Sequence, residues 1–254
     1  MSIIPKSHPR AKSLLIREKL VNGFDQGLVA KEGLLAHGRG EAFDYLLGET
    51  TRKTAKIAIR AAAAQILLAD SPVISVNGNF ATLCSKEIVK LAKTTGVKIE
   101  VNLFYSTEKR KQNIMKILKK SGAKEILGIN PLSSTILSGL DSARRIVDKN
   151  GIFVADVVIV PLEDGDRTMA LRKAGKKVIT FDLNPLSRTS QTANITIVDN
   201  VTRAMNLLIV ECKKLLKKSK KLLRKIVADF NNKKNLSNNI IEIRNNLTRM
   251  SQIA

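Results

Sequence analysis

Five short apolar runs in this chain stop at polar clusters suited to ligand contact: Asn77-Gly78-Asn79, Asn102, Glu163-Asp164-Gly165-Asp166-Arg167, Asp182-Leu183-Asn184 and Asp199-Asn200. Short amide and carboxylate side chains do two things. They cap helices and make turns, and they hydrogen-bond the hydroxyls and base edges of a nucleotide. One such end is explained by the first role; five along one rim of a sheet point to a polar site for a nucleotide. In that site Asp182 could accept from ribose hydroxyls, and Asn184 and Asn200 could read an adenine edge. Arg188, in the polar loop between the last two ends, could meet phosphate with its two-pronged guanidinium.

The N-terminal part adds cations. Arg39 stands between Gly38 and Gly40, where backbone can approach a ligand closely. Arg17 lies in "LLIREKL", an otherwise apolar helical stretch, and either snorkels to the surface, pairs with Glu18 or contacts a ligand. His37, beside Gly38, is either a hydrogen-bonded structural histidine or a phosphate contact. The loop Glu163, Asp164, Asp166 with Arg167 reads two ways as well. "EDGD" is a good turn and helix-capping sequence, and it also sets a group of carboxylates at a strand end. No GxxxxGK[ST] loop and no GxGxxG after a strand is present, so a P-loop and an ordinary NAD oxidoreductase are both disfavoured.

The elements that must position these residues alternate. "KTAKIAIRAAAAQILLAD" reads as a helix over 53–69, followed by the strand "PVISVNGN" and a helix capped by Ser85 and stopped by Gly96. "VKIEVNLFY" reads as a strand, "TEKRKQNIMKILKKSG" as a helix capped by Thr107, "KEILGI" as a strand and "SARRIVDKNG" as a helix. Then come the strand "ADVVIVPLEDGD", the helix "RTMALRKAG", the strands "KKVITFDLN" and "NITIVDN", and a long helix from 201 to about 225. Continuous Val/Ile strands between helices predict an α/β fold, a Rossmann-like parallel sheet with helices on both faces. The division expected is a helical N-terminal segment over 1–52, a Rossmann-like nucleotide-binding domain over 53–210, and a basic helical C-terminal extension over 211–254. In the extension an Asn-rich turn, "NNKKN", precedes a last helix with an apolar stripe of Ile240, Ile241, Ile243 and Leu247, free to pack on its own chain or on a second subunit.

Composition excludes several classes. With 44% hydrophobic residues a core can form, while the longest uncharged apolar stretch, near Ala61 to Ala69, is far too short to cross a membrane. The opening residues carry no secretion signal, so a cytoplasmic protein is expected. Cys84 and Cys212 sit in no metal-binding pattern, and His8 and His37 are the only histidines. No protein-only metal site is therefore expected, although a hard cation could be held jointly with phosphates. The net charge of +22 suggests nucleic acid, but aromatic residues are only 4%, so stacking platforms are scarce and nucleic acid is disfavoured as a partner.

The stretches "IPKSHPRAKSLLIREKLVNGFDQGLVAKEGLLAHGRGEAFDYLLGE", "AIRAAAAQILLADSPVISVNGN", "GVKIEVNLFY" and "VVIVPLEDGDRTMALRKAGKKVITFDLNPLSRTSQTANITIVDN" closely resemble the archaeal phosphopantothenate synthetase (4-phosphopantoate–β-alanine ligase) family. The resemblance covers roughly residues 3 to 205; the basic C-terminal helices match only in character. It implies a homodimeric enzyme of coenzyme A biosynthesis that joins 4-phosphopantoate to β-alanine with ATP and Mg2+, giving 4'-phosphopantothenate, AMP and diphosphate through an acyl adenylate. Carried over by position, the ATP contacts fall on Arg17, Arg39, Asp182, Leu183, Asn184, Arg188, Thr189, Asp199 and Asn200. Leu183 and Thr189 come from the resemblance alone. Asn77, Gly78, Asn79 and His37 are then candidates for the pantoate pocket, and Glu163, Asp164, Asp166 and Arg167 for catalysis or metal organisation. The competing expectation is a non-catalytic Rossmann-like nucleotide- or RNA-binding protein that uses the basic C-terminal helices.

Overall fold

The computed structural model describes residues 4–5, 7–162 and 164–252. The N-terminal segment forms two helices, α1 (Ala11–Asp25) and α2 (Lys31–Leu47). Alternation then begins with α3 (Lys53–Leu68), β1 (Pro72–Val76), α4 (Gly78–Thr95), β2 (Lys98–Val101) and α5 (Glu108–Lys120). A hairpin of β3 (Ser134–Ile136) and β4 (Ile146–Asp148) interrupts it before β5 (Val157–Ile159), α6 (Gly165–Lys173), β6 (Lys177–Phe181), α7 (Arg188–Thr192) and β7 (Ile195–Ile197). The chain ends in α8 (Val201–Leu215), α9 (Lys220–Ala228) and α10 (Asn232–Ser251).

Five parallel strands form one sheet in the order β2-β1-β5-β6-β7. Their pleat sorts the β-branched residues. Val73, Val158 and Val178 are paired in register and face the core under the hairpin and α6, while Ile74, Ile159 and Ile179, one residue on, face the core of α3, α4 and α8. Both faces are therefore covered, which is why the strands read as unbroken apolar runs. The Rossmann-like α/β expectation holds, with helical segments at both ends.

Local differences have identifiable causes. Helix α4 starts at Gly78 rather than after Ser85, because Asn77 Oδ1 accepts from Phe80 N at 2.9 Å and caps it earlier; Cys84, at φ −133°, marks a kink inside the helix. "KEILGI" contributes only one bridge, Leu127 to Glu100. "SARRIVDKNG" is a 3-10 turn leading into β4 instead of a helix. The carbonyls of Arg144 and Ile146 accept from Asn102 Nδ2 (3.3 and 2.8 Å), and β4 pairs antiparallel with β3, so helical hydrogen bonding is preempted. The long helix from 201 breaks after Leu215, and Ser219 caps α9.

Helix α10 also begins earlier than expected, capped by Asn231. It docks on its own chain through amides. Asn246 Nδ2 donates to Leu46 O at 2.8 Å and its Oδ1 accepts from Arg52 at 3.1 Å, while Asn239 Oδ1 accepts from Thr54 Oγ1 at 2.8 Å. Of the expected apolar stripe, Ile240, Ile241 and Leu247 face outward. Cys84 and Cys212 are buried free thiols, and burial raises both pKa values, Cys212 to about 12. Among the described residues no helix is long and apolar enough to cross a membrane.

Candidate active site

In open parallel sheets ligands bind beyond the carboxyl ends of the strands, at the point where strand order reverses. Here the order reverses between β1 and β5, and Asn77 spans that gap by donating to Pro161 O at 2.9 Å. A cleft of about 720 Å³ runs along this edge, walled on the far side by α2. It is lined by the ends of β1 (Asn77, Gly78, Asn79), β5 (Leu162, Asp164, Gly165), β6 (Phe181 to Asn184) and β7 (Asn200), and by His37 and Arg39 of α2. Arg188 and Thr189 complete that end, and Arg110, Arg144, Phe104 and Tyr105 line the end nearest β2.

Much of the site is held by the polar strand ends themselves. Asp182 accepts from Asn184 N at 2.9 Å and from the Ser187 hydroxyl, and Asn184 Oδ1 accepts from Leu186 N at 2.9 Å. Consecutive side-chain turns thus preform the loop before any ligand arrives. Burial raises the Asp182 pKa, and these hydrogen bonds and Arg39 oppose the rise. Leu183 packs with Leu47, Val198 and Leu236, which anchors the loop to α2 and α10. Asn200 Oδ1 caps α8 through Thr202 N at 3.1 Å, and its amide donates to Asp44 Oδ2 at 3.2 Å. Asn79 Nδ2 donates to Gly33 O at 2.8 Å, which ties α4 to α2.

Other expected residues stand behind the cleft. Asp199 is buried and accepts from Thr51 Oγ1 at 2.7 Å and from Arg203; burial raises its pKa against the pull of Arg203. Arg17 pairs with Glu41 of α2 at 2.9 Å, and both hydrogen-bond Tyr45; the pairing holds the Glu41 pKa below its ordinary value although burial pushes the other way. Arg167 is fully buried, with its guanidinium on Asn102 Oδ1 and Ser75 Oγ, so it braces β1 and β2 rather than entering the cleft. Asp166 pairs with Arg188 at 2.5 Å at the exposed mouth. Asp164 caps α6 through Arg167 N at 2.9 Å and lies 3.7 Å from Arg144 Nη1. Glu163 lies outside the described residues.

His37 Nε2 is buried without a hydrogen-bond partner among the described residues, and burial lowers its pKa, so the ring is neutral near pH 7. Among the described residues no three His, Cys, Asp or Glu side chains gather as metal ligands, and the two described carboxylates of the acidic loop each face an arginine.

Sequence reasoning missed Glu41, Asp44, Tyr45 and Arg203, which lock α2 onto the sheet edge, and Arg110 and Arg144. A spacing signal existed for two pairs, since Glu41 and Tyr45, and Asp199 and Arg203, are four apart. The two cleft arginines carried none, being lost among many lysines and arginines.

The fold and the cleft define a Rossmann-like α/β protein with an arginine-lined cleft at the carboxyl edge of its parallel sheet. The chain belongs to the phosphopantothenate/pantothenate synthetase family, whose model matches residues 54–246. It is 53% identical over 250 residues to a 4-phosphopantoate–β-alanine ligase of Thermococcus kodakarensis, covering 98% of this chain and 95% of the relative. It is 51% identical over 251 residues to the ligase of the same name from Methanosarcina mazei, covering 99% and 98%. A third, from Methanospirillum hungatei, is 53% identical over 203 residues, covering 80% and 82%.

Proposed function

We propose that this chain is an ATP-dependent ligase that condenses 4-phosphopantoate with β-alanine, giving 4'-phosphopantothenate, AMP and diphosphate. What carries this reading is half-identity along nearly the whole chain to proteins bearing that name. These relatives favour the ligase over a non-catalytic nucleotide- or RNA-binding protein.

A carboxylate does not condense with an amine in water unless it is activated. The phosphopantoate carboxylate attacks the α-phosphorus of ATP and expels diphosphate; the amine of β-alanine then attacks the acyl carbon and expels AMP. In this reading adenosine lies against the preformed loop Asp182 to Asn184 and Asn200. Arg39, Arg188 and Thr189 meet the phosphates, with Arg188 exchanging Asp166 for the ligand. The first turn of α4, Gly78 and Asn79, adjoins the acid, and His37 offers its unpartnered nitrogen to a substrate oxygen. Arg17 and Asp199 act at one remove: Arg17 fixes Glu41 and Tyr45 of α2, which carries Arg39, and Asp199 fixes the β7 end.

Triphosphate, phosphomonoester and carboxylate repel one another, and preorganised cations are what offset that repulsion. Magnesium enters as part of the ATP substrate complex. The protein acts in the cytoplasm as a homodimer, for which outward Ile240, Ile241 and Leu247 of α10 offer an apolar face to a second copy.

The test is AMP and diphosphate release with ATP, Mg2+, 4-phosphopantoate and β-alanine, each omitted in turn. Sustained release of both is expected only in the full mixture, with no more than one diphosphate per site when β-alanine alone is omitted. ADP in place of AMP would overturn the adenylate route, and no turnover would overturn the ligase.

A further inference from the structure

We propose that Asn232, the first residue of α10, is a positioning residue for ATP: it fixes α7, the short helix that carries Arg188 and Thr189, against β7. The inference rests on the ligase reading, which assigns those two residues to the phosphates. Asn232 belongs to the basic C-terminal extension, beyond the stretch on which the sequence resemblance rests, and it does not line the cleft. It acts on the site from behind.

Helix α7 spans five residues. A helix that short makes too few internal hydrogen bonds to hold itself, and it leaves most of its carbonyls to outside donors. Its amino end is secured within its own loop, where Ser187 Oγ accepts from Ser190 N at 2.9 Å and Ser190 Oγ donates to Asn184 O at 2.7 Å. Its carboxyl end is secured from α10. Asn232 Nδ2 donates to Ser190 O at 3.0 Å and to Ala193 O at 3.1 Å, while its Oδ1 accepts from Thr196 N of β7 at 2.8 Å. Both amide hydrogens and the amide oxygen are thereby used, so one side chain joins α10, the end of α7 and β7.

One turn further along the same face of α10, Leu236 packs in the cluster that holds Leu183. Two contacts a turn apart thus grip both halves of the segment: Leu236 the Asp182–Asn184 turn, and Asn232 the helix that follows it. The Arg188 side chain does not locate itself. It is largely exposed and pairs with the equally exposed Asp166, a contact of little strength. The placement of Arg188 and Thr189 therefore comes from the backbone of α7, and the backbone is fixed before ATP arrives. Donors ordered in advance spare the ligand the cost of ordering them. Without Asn232, two carbonyls and an N–H lose their partner, and ATP itself has to order α7.

The experiment is steady-state kinetics of the full chain and its Asn232→Asp and Asn232→Ala variants, each read below its own melting temperature, with ATP, 4-phosphopantoate and β-alanine varied in turn. Asn232→Asp keeps the acceptor for Thr196 N and removes only the two donations to α7, so it decides the matter even where the alanine variant folds poorly. It is expected to raise the KM for ATP roughly tenfold, the factor for polar groups left without their hydrogen-bond partner, with the other two KM values unchanged. Asn239→Ala is the control: it removes the bond from α10 to Thr54 of α3 and leaves α7 untouched, so it should lower the melting temperature and keep the parent KM for ATP. Asn232 variants that behave like this control, or that raise all three KM values equally, would overturn the positioning role. If the unaltered protein makes no 4'-phosphopantothenate, the ligase reading falls, and calorimetric binding of Mg-ATP then decides Asn232. Affinity weakened in Asn232→Asp supports the role, and affinity unchanged overturns it. A parent protein that binds no ATP overturns both.

Discussion

Arg203 of α8 places Nη2 2.6 Å from Asp44 Oδ1 of α2, joining the helix that walls the cleft to the helix that follows the last strand. The same nitrogen lies 2.6 Å from Asp199 Oδ1, and both carboxylates are almost wholly buried. One guanidinium thus neutralises two acids that would otherwise repel each other where the adenosine end of the cleft is proposed.

Arg203→Ala would strand both buried carboxylates. The expected cost is about 2–4 kcal/mol, near the lower part of the range for breaking a buried pair because Arg203 is partly exposed. Denaturant unfolding reads the stability, and a raised KM for ATP should accompany it as α2 loosens. Stability unchanged from the parent would refute the role of the pair.

Arg39→Ala should leave unfolding unaffected, because the Arg39 side chain is exposed and none of the hydrogen bonds described above involve it. AMP release should fall roughly 10²- to 10³-fold, as when a preorganised charge donor is removed. Asp166→Ala should do the opposite and leave or improve ATP binding, since it frees Arg188 from an exposed pair of little intrinsic strength. Paired ATP titrations of the two variants check both outcomes.

The strand-end residues were legible because Asn and Asp after a β-branched run mark the carboxyl edge of a sheet, and Asp182, Asn184, Asn77 and Asn200 all meet there. Which were structural was not legible. Arg167 sits next to Asp166 in sequence yet points under the sheet, because only the fold brings Ser75 and Asn102 to it. The β3–β4 hairpin hid for a similar reason: "SARRIVDKNG" has acceptable helix formers, and only Asn102, some forty residues earlier, claims its carbonyls. Three of the four buried residues of α10, Asn235, Asn239 and Asn246, are asparagines, which no hydrophobic periodicity reveals.

Glu100 predicts a pH dependence of stability. It is fully buried at the end of β2 and accepts from Asp148 N at 3.1 Å and Ile152 N at 2.6 Å; burial pushes its pKa up to about 7 despite those bonds. An acid with a raised folded-state pKa binds more protons when folded between its unfolded value and about 7. Stability therefore falls as pH rises through that window, by on the order of 2–3 kcal/mol from this group. Burial moves Asp182 and Asp199 in the same direction, so Glu100→Gln is needed to isolate the effect. Unfolding measured at pH 5 and pH 7 should show a smaller drop in the variant; an identical drop would rule Glu100 out as its source.

Gly78 should tolerate no side chain. A Cβ there would lie 2.1 Å from Leu28 O, a backbone atom fixed by its hydrogen bonds to Gly78's neighbourhood through Arg110 at 3.0 Å. The clash cannot be relieved by rotating a side chain, so the α1–α2 connection must move away from α4. Gly78→Ala is expected to lose about 1–3 kcal/mol, the range for forcing a methyl into packed structure. The displacement would carry α2, and with it His37 and Arg39, away from the strand ends. Activity should consequently fall further than the stability loss alone explains, under conditions where the variant is still folded. Gly175, by contrast, has nothing within 4 Å of such a Cβ but holds φ at +80°, so Gly175→Ala should strain only its own turn. Thermal melts and AMP release for the two alanine variants side by side separate the cases: comparable activity at equal folded fraction would show that the approach of Leu28 to α4 does not position the cleft.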